Sequence, residues 1–427
     1  MTTSPPPRSP WTWIPTLYFA QGIPYVVVMT LSVILYKNLG LDNTDIALYT
    51  SWLYLPWVLK PLWSPLVELL GTKRIWIVAL QFVVGAALAL VALTIPGERM
   101  FQMSLAVFWL MAFASASHDI AADGFYMLAL PQHEQAAFVG VRSTFYRLAN
   151  IGGQGGLVYL AGELQERTGS MTTAWSIVFF LLAGLFALMA VTHAFVLPRP
   201  AQDTRGATTD LPTLMRDFFR VFADFFRKPG IVVILGFLLL YRFPEAQLLK
   251  LATPFLLDPP SAGGLGLSTK AVGIAYGTVG LTALTLGGLL GGWIISRVGL
   301  KLALWPLILL MHVPNIAFLM LALAKPTSLV VISAALAVEQ FGYGLGFTAY
   351  LMYMILVADG PHKTAHYAIC TGFMALGMML PGMWSGWLQQ QLGYLSFFVW
   401  VMVATVPSFA MAALVKIPAG FGKKTEA

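Results

Sequence analysis

Charge is scarce in this chain. Only 10% of its 427 residues are Asp, Glu, Lys or Arg, against roughly 25% in soluble domains, so a soluble globular fold is excluded. Cysteine is scarcer still. Cys370 stands alone in an apolar run, which leaves no intrachain disulfide and suits a buried space-filler. The sequence has no HExxH, GxSxG or cysteine–histidine motif, no paired metal-ligand set and no GxxxxGK[ST] loop, so nothing marks an enzyme, a cofactor or the use of ATP. After the polar, proline-rich start MTTSPPPRSP comes no small-residue cleavage site, and no cleaved signal peptide is expected.

Apolar length is what the chain has. Hydrophobic residues make up 58% of it, gathered in segments of about 20 residues that are long enough to cross a bilayer as helices. Twelve are read, near 12–36, 45–69, 75–95, 100–130, 137–161, 172–197, 231–257, 269–295, 301–324, 327–358, 364–391 and 395–417. The expectation is an all-α membrane protein. Outside the spans, fifteen Lys and Arg fall on the side that holds both termini and five (Lys37, Arg99, Arg167, Lys270, Lys325) on the other. That bias places both termini in the cytoplasm. The formal net charge of +7 is therefore a topology signal, and nucleic-acid binding is not expected.

The chain divides in the middle. Residues 1–197 and 231–427 each hold six spans, and 198–230 form a polar bridge on the basic side. In the bridge, Leu211, Leu214, Met215, Phe218, Phe222, Phe225 and Phe226 recur at helical spacing, opposite Arg216, Arg220, Arg227 and Lys228. Asp210 can cap this helix, and Pro212 suits its first turn. An amphipathic helix lying in the cytoplasmic interface is expected, with a partner-binding helix as the alternative. The two sixes also repeat. Gly71 with Gly299 and Lys73 with Lys301 lie 228 positions apart, and GELQERTG (162–169) matches GWLQQQLG (386–393) at an offset of 224. Pseudo-symmetric halves of this kind are a mark of secondary transporters, which hold their solute between them at mid-membrane.

The loops after the second and eighth spans resemble the Gly-x-x-x-acid-base-x-Gly-x-base motif of the major facilitator superfamily, with Ser64, Leu69 and Ser296 departing from it. QGIPY (21–25), LPWVLKPLWSPLVE (55–68), DIAADG (119–124), LPQHE (130–134) and YRLANIGG (146–153) look like the AmpG-type muropeptide permeases, and related acetyl-CoA transporters share several of them. This resemblance, confined to the first half, implies a proton-coupled importer of an amphiphilic, sugar-containing solute across a bacterial inner membrane. A smaller sugar, a glycoside or a CoA-like anion is the alternative solute. The resemblance also implies that the first, fourth, seventh and tenth spans line the cavity. An intramembrane acyltransferase centred on His118 and a non-transporting sensor are the competing classes. The partners expected are thus a small solute, protons and the lipid bilayer, for a chain acting as a monomer.

Charges inside the spans are the candidate machinery, because each is costly in hydrocarbon. Asp119 and Asp123 are four apart and share a helix face. The hairpin of the fourth and fifth spans turns near His133, which sets Arg147 level with Asp119 and Arg142 level with Asp123, so two stacked ion pairs are expected. Lys60 then leaves one positive charge over. Glu68 balances it, or Lys60 competes for Asp119, or one base is free for an anionic part of the solute. In the second half, Arg242 can hold Glu245 ionised, whereas Glu339 has no local base and is the preferred proton carrier, unless it is merely hydrogen-bonded. His118 is a proton relay or a packing residue, and His312 and His366 are weaker candidates. Polar and aromatic residues suited to a sugar share faces: Tyr18, Gln21 and Tyr25 on the first span, Asn150 and Gln154 on the fifth, Gln340 and Tyr343 on the tenth. Trp52, Trp57 and Trp63 read as interface and packing residues.

Overall fold

A computed structural model describes residues 9–69, 71–201, 203, 211–360 and 362–423. Among them, nine helical stretches are long and apolar enough to cross a membrane. They are Pro10–Asn38, Lys73–Thr94, Met100–Ala129, Met171–Val196, Ile231–Leu257, Thr269–Val298, Leu300–Ala324, Leu329–Ala358 and Ala365–Leu414. The last reverses direction at Gly393 (φ 72°, ψ 165°), a left-handed conformation that suits glycine, and so holds the eleventh and twelfth spans. Two further spans are interrupted or more polar: Asn43–Trp52 with Leu55–Leu69, and Gln132–Ile151 running through Gly152–Leu157 to Thr168. The total is twelve, as the sequence predicts, so the described chain starts and finishes at one end of the bundle.

The breaks have sequence causes. The second span yields at Leu53–Tyr54, just ahead of Pro56, and the seventh at Tyr241–Arg242, ahead of Pro244, because a proline cannot donate to the carbonyl four residues back and is best tolerated in the first turn of a new helix. Wider π-type turns occupy Gly152–Leu157 and Gly273–Gly280. These two glycine-rich stretches meet across the halves, where a Cβ on Gly277 would overlap the Gln154 carbonyl. Large apolar side chains such as Phe195 and Val232 remain exposed on the outer surface, as lipid-facing helices allow.

Within the second half, the eighth and tenth spans pack backbone to backbone. A Cβ on Gly344 would overlap the Leu284 carbonyl, and one on Gly287 the Phe341 carbonyl. Small residues permit this approach where no hydrophobic drive pulls helices together. Gly344→Ala is expected to destabilise the protein by roughly 1–3 kcal/mol, since rigid backbone cannot yield. Gly184, whose Cβ position is open, provides the control: Gly184→Ala is expected to leave the detergent melting temperature unchanged or raised. Equal melting of the two variants would sink the packing argument.

The bridge helix Leu211–Phe226 forms. Arg216 and Arg220 are exposed and Phe225 is fully buried, stacked on Phe373 with centroids 6.4 Å apart. The Val221 carbonyl accepts from His366 Nε2 at 3.2 Å. This end of the helix is thus anchored to the start of the eleventh span. The Asp210 cap and the Glu68 side chain lie outside the described residues.

Candidate functional site

A cavity of about 170 Å³ opens between the halves, lined by Tyr25, Tyr54, Trp57, Lys60, Arg242, Thr371, Met374, Ala375 and Met378. Its walls come from the first, second, seventh and eleventh spans. Tyr25 stands edge-on to Trp57 at 5.3 Å, so two π faces and a lysine border one side. Behind them sits Asp119, whose Oδ2 accepts from Trp57 Nε1 at 3.1 Å and lies 3.6 Å from Lys60 Nζ. Gln21 neighbours the same carboxylate.

Of the two expected ion pairs, one forms. Arg142 Nη2 meets Asp123 Oδ1 at 2.8 Å, and the Tyr18 hydroxyl donates to that oxygen at 3.2 Å. The guanidinium lies over the Tyr18 and Tyr126 rings, 4.5 and 5.0 Å from their centroids. The Asp119–Arg147 pair is replaced by Asp119–Lys60. Arg147 instead crosses to the eighth span, where Nη1 donates to the Thr285 carbonyl at 3.4 Å. Depth matches, but direction does not: residues five apart on a helix point about 140° away from each other, so Arg142 and Arg147 cannot both face the fourth span.

In the second half, the expectation that Arg242 holds Glu245 fails. Arg242 caps Phe243–Leu257 from the break in the seventh span and donates to the Tyr343 hydroxyl, with its guanidinium 4.7 Å from the Phe347 centroid. Glu245 is turned the other way, into the core of the half, and accepts from His312 Nδ1 at 2.7 Å and Asn315 Nδ2 at 3.1 Å. Glu339 is also fully buried. It accepts from Gln340 Nε2 at 2.9 Å and has no cationic partner among the described residues. Neither glutamate lines the cavity.

The remaining candidates scatter. Asn150 donates to the Tyr146 carbonyl on its own helix, and Gln154 contributes its carbonyl to the contact with Gly277. His118 accepts from Gln81, which in turn accepts from His193, whose Nε2 bonds Thr16. This buried chain ties four spans of one half together, and His118 does not line the cavity. Sequence reasoning missed Tyr54, Thr371, Met374, Ala375 and Met378 as cavity residues and took Trp57 for packing.

Polar bonds between the halves gather at the end opposite the termini. Asp258 accepts from Lys37 at 2.6 Å, from Asn43 at 3.3 Å and from the Tyr394 hydroxyl at 2.6 Å. Asn43 also donates to Gln389 at 2.8 Å. On the other flank, Lys270 pairs with Glu163 at 2.6 Å and Glu166 at 3.3 Å. Deeper in, Lys250 donates to Thr50 at 2.9 Å. Among the described residues, no ion pair joins the halves at the end that carries the termini. The geometry is that of a cavity sealed on one side.

Lys270, then Arg167, holds the Glu163 carboxyl below the usual range. A depressed pKa means that the contact is at full strength above the ordinary carboxylate pKa and is lost as pH falls through the lowered one. Spin labels at the exposed positions Thr168 and Ser261 are expected to move apart in acid, while Glu163→Gln should show the wider distance at every pH. A distance that ignores pH in both proteins would remove Glu163 from the seal.

Twelve helices around a central cavity, with one end sealed by contacts between two halves, define a multi-pass membrane transporter of the alternating-access type of fold. The chain belongs to the Major Facilitator Superfamily, whose family model matches residues 16–367. It is 26% identical over 404 residues to the anhydromuropeptide permease of Escherichia coli K12, covering 92% of this chain and 77% of that one. It is 24% identical to the putative transporter AmpG 4 of Rickettsia conorii, covering 92% and 93%. Among solved structures, an inward-facing, occupied bacterial homologue of the human lysosomal transporter Spinster superposes with a TM-score of 0.70 at 16% identity, covering 96% and 97% of the chains. The inward-open xylose transporter XylE from E. coli superposes at 0.64 with 13% identity, covering 95% and 96%. At such identities the two structures speak for the fold alone.

Proposed function

We propose that the protein is a proton-coupled importer of an amphiphilic, sugar-containing solute of muropeptide or amino-sugar type, working by alternating access in a bacterial inner membrane. Its moving units are residues 1–197 and 231–427, joined by 198–230, with both termini cytoplasmic. The observation that carries this reading is the Lys60–Asp119 pair behind the cavity wall. At 3.6 Å it is longer than the 2.7–2.9 Å of a strong charge-assisted bond, and Trp57 holds the same oxygen. Asp119 can therefore exchange its lysine for a proton at low cost. Protonation releases Lys60 to the solute's oxygens; deprotonation on the cytoplasmic side draws Lys60 back and frees the solute. Trp57, Tyr25 and Tyr54 offer faces for pyranose rings. The fifteen-to-five bias of basic residues supports the orientation, which makes the sealed end periplasmic. The name of the E. coli relative supports the solute class.

The test is uptake of radiolabelled GlcNAc-anhydro-MurNAc into proteoliposomes with and without an inward proton gradient. Gradient-driven accumulation above empty liposomes is expected. Uptake indifferent to the gradient would remove the coupling, and no uptake by folded protein would remove the muropeptide class.

A further inference from the structure

The cavity carries a cation that no acidic side chain among the described residues neutralises. Lys60 has Asp119, but Arg242, which lines the same cavity, has no acidic partner among the described residues. Its one side-chain hydrogen bond goes to the Tyr343 hydroxyl. It is 8% exposed, and its Nε is buried with no partner at all. Leaving a buried guanidinium unpaired is expensive, so the arrangement calls for an anionic partner.

Two features fit that anion to the site. The Tyr343 and Phe347 rings lie 5.3 and 4.7 Å from the guanidinium carbon and hold it by cation–π contact, and a guanidinium fork suits a planar acceptor. Arg242 is also the N-cap of the 15-residue helix Phe243–Leu257, at the break in the seventh span. Pro244 in that first turn has no N–H of its own, and the remaining orphan N–H groups add a partial positive charge at the same point. A broken membrane helix that turns its N-terminus to an anionic solute group is a recurrent device of secondary transporters.

We propose that Arg242, with the N-terminus of Phe243–Leu257 behind it, is the specificity-determining contact for a carboxylate of the solute. This contact rests on the reading of this cavity as the solute site. It orients the solute with its carboxylate on the second half and its rings against Tyr25 and Trp57 on the first. Both halves then grip one molecule, which is what links binding to their relative movement.

The experiment compares GlcNAc-anhydro-MurNAc, with its lactyl carboxylate free, and the methyl ester of the same disaccharide. Uptake into proteoliposomes is read beside the melting shift of the detergent-purified protein, for wild type, Arg242→Gln and Arg242→Lys. In wild type the acid is expected to have a KM about 10- to 100-fold below the ester's, the worth of one charged hydrogen-bonded contact. Arg242→Gln should handle acid and ester alike, and Arg242→Lys should restore part of the preference, because it keeps the charge and loses the fork. Equal handling of acid and ester by wild type overturns this role of Arg242 and leaves the transport reading intact. If neither disaccharide is taken up, the transport reading fails instead, and melting decides the role of Arg242. N-acetylmuramate then has to stabilise wild type more than N-acetylglucosamine does, with the difference gone in Arg242→Gln; no such difference overturns it.

Discussion

Asp119→Asn is expected to bring solute accumulation down to simple equilibration while leaving exchange of labelled for unlabelled solute in place. An amide keeps the acceptor oxygen that Trp57 uses, 3.1 Å away in the wild type, but it cannot carry a proton. One proton crossing 100 mV supplies about 2.3 kcal/mol, enough for about 50-fold accumulation, and that whole factor should vanish. Uptake against a gradient and counterflow, measured in the same proteoliposomes, separate the two effects. A variant that melts lower yet accumulates normally per folded molecule would show that Asp119 only neutralises Lys60.

The second large effect is expected from a single methyl group. A Cβ on Gly386 would overlap the Asn43 carbonyl, where the eleventh span meets the second at the sealed end, and one on Gly277 would overlap the Gln154 carbonyl between the eighth and the fifth. Both contacts join the halves, so the clash exists only while that end is shut. Gly386→Ala should penalise the sealed state by roughly 1–3 kcal/mol and shift its population about 5- to 150-fold. Transport slows accordingly, and labels at Thr168 and Ser261 move apart at neutral pH. Melting of the halves should barely change, in contrast to Gly344→Ala, whose clash lies inside one half. Unaltered distances in both Gly386→Ala and Gly277→Ala would mean that this end does not open by separating those spans.

The twelve helices were legible because apolar runs of bilayer length admit little else, whereas the breaks before Pro56 and Pro244 went unread. Asp123–Arg142 was legible since depth and direction agree. Asp119–Arg147 was misread because hairpin register reports depth and is silent on the azimuth, which Lys60 satisfies from another span. Trp57 had no mark to distinguish a cavity wall from an interface belt. The seal was out of reach for another reason: Lys37 meets Asp258 across 221 positions of chain, and no periodicity links two helix ends that far apart. Its only sequence trace was the presence of Lys37 and Lys270 among the few bases on that side. Glu245 looked like a cavity residue from its place along the span, but a break one turn earlier rotated it towards His312.

The seal at Asp258 resembles a bolt and its keeper. Asp258 and Tyr394 belong to one half, and Tyr394 follows directly on the Gly393 reversal, which fixes it beside the carboxylate at 2.6 Å. Lys37 and Asn43 are the bolt, carried by the other half. On any separation of the two halves, the keeper's carboxylate retains its strongest neutral donor, the Tyr394 hydroxyl, and the lysine keeps the Asn43 amide oxygen at 2.8 Å. Release therefore avoids the full penalty of exposing two ions at once, and the return stroke finds its target already aimed. A latch of this kind leaves neither ion without a polar partner when it parts.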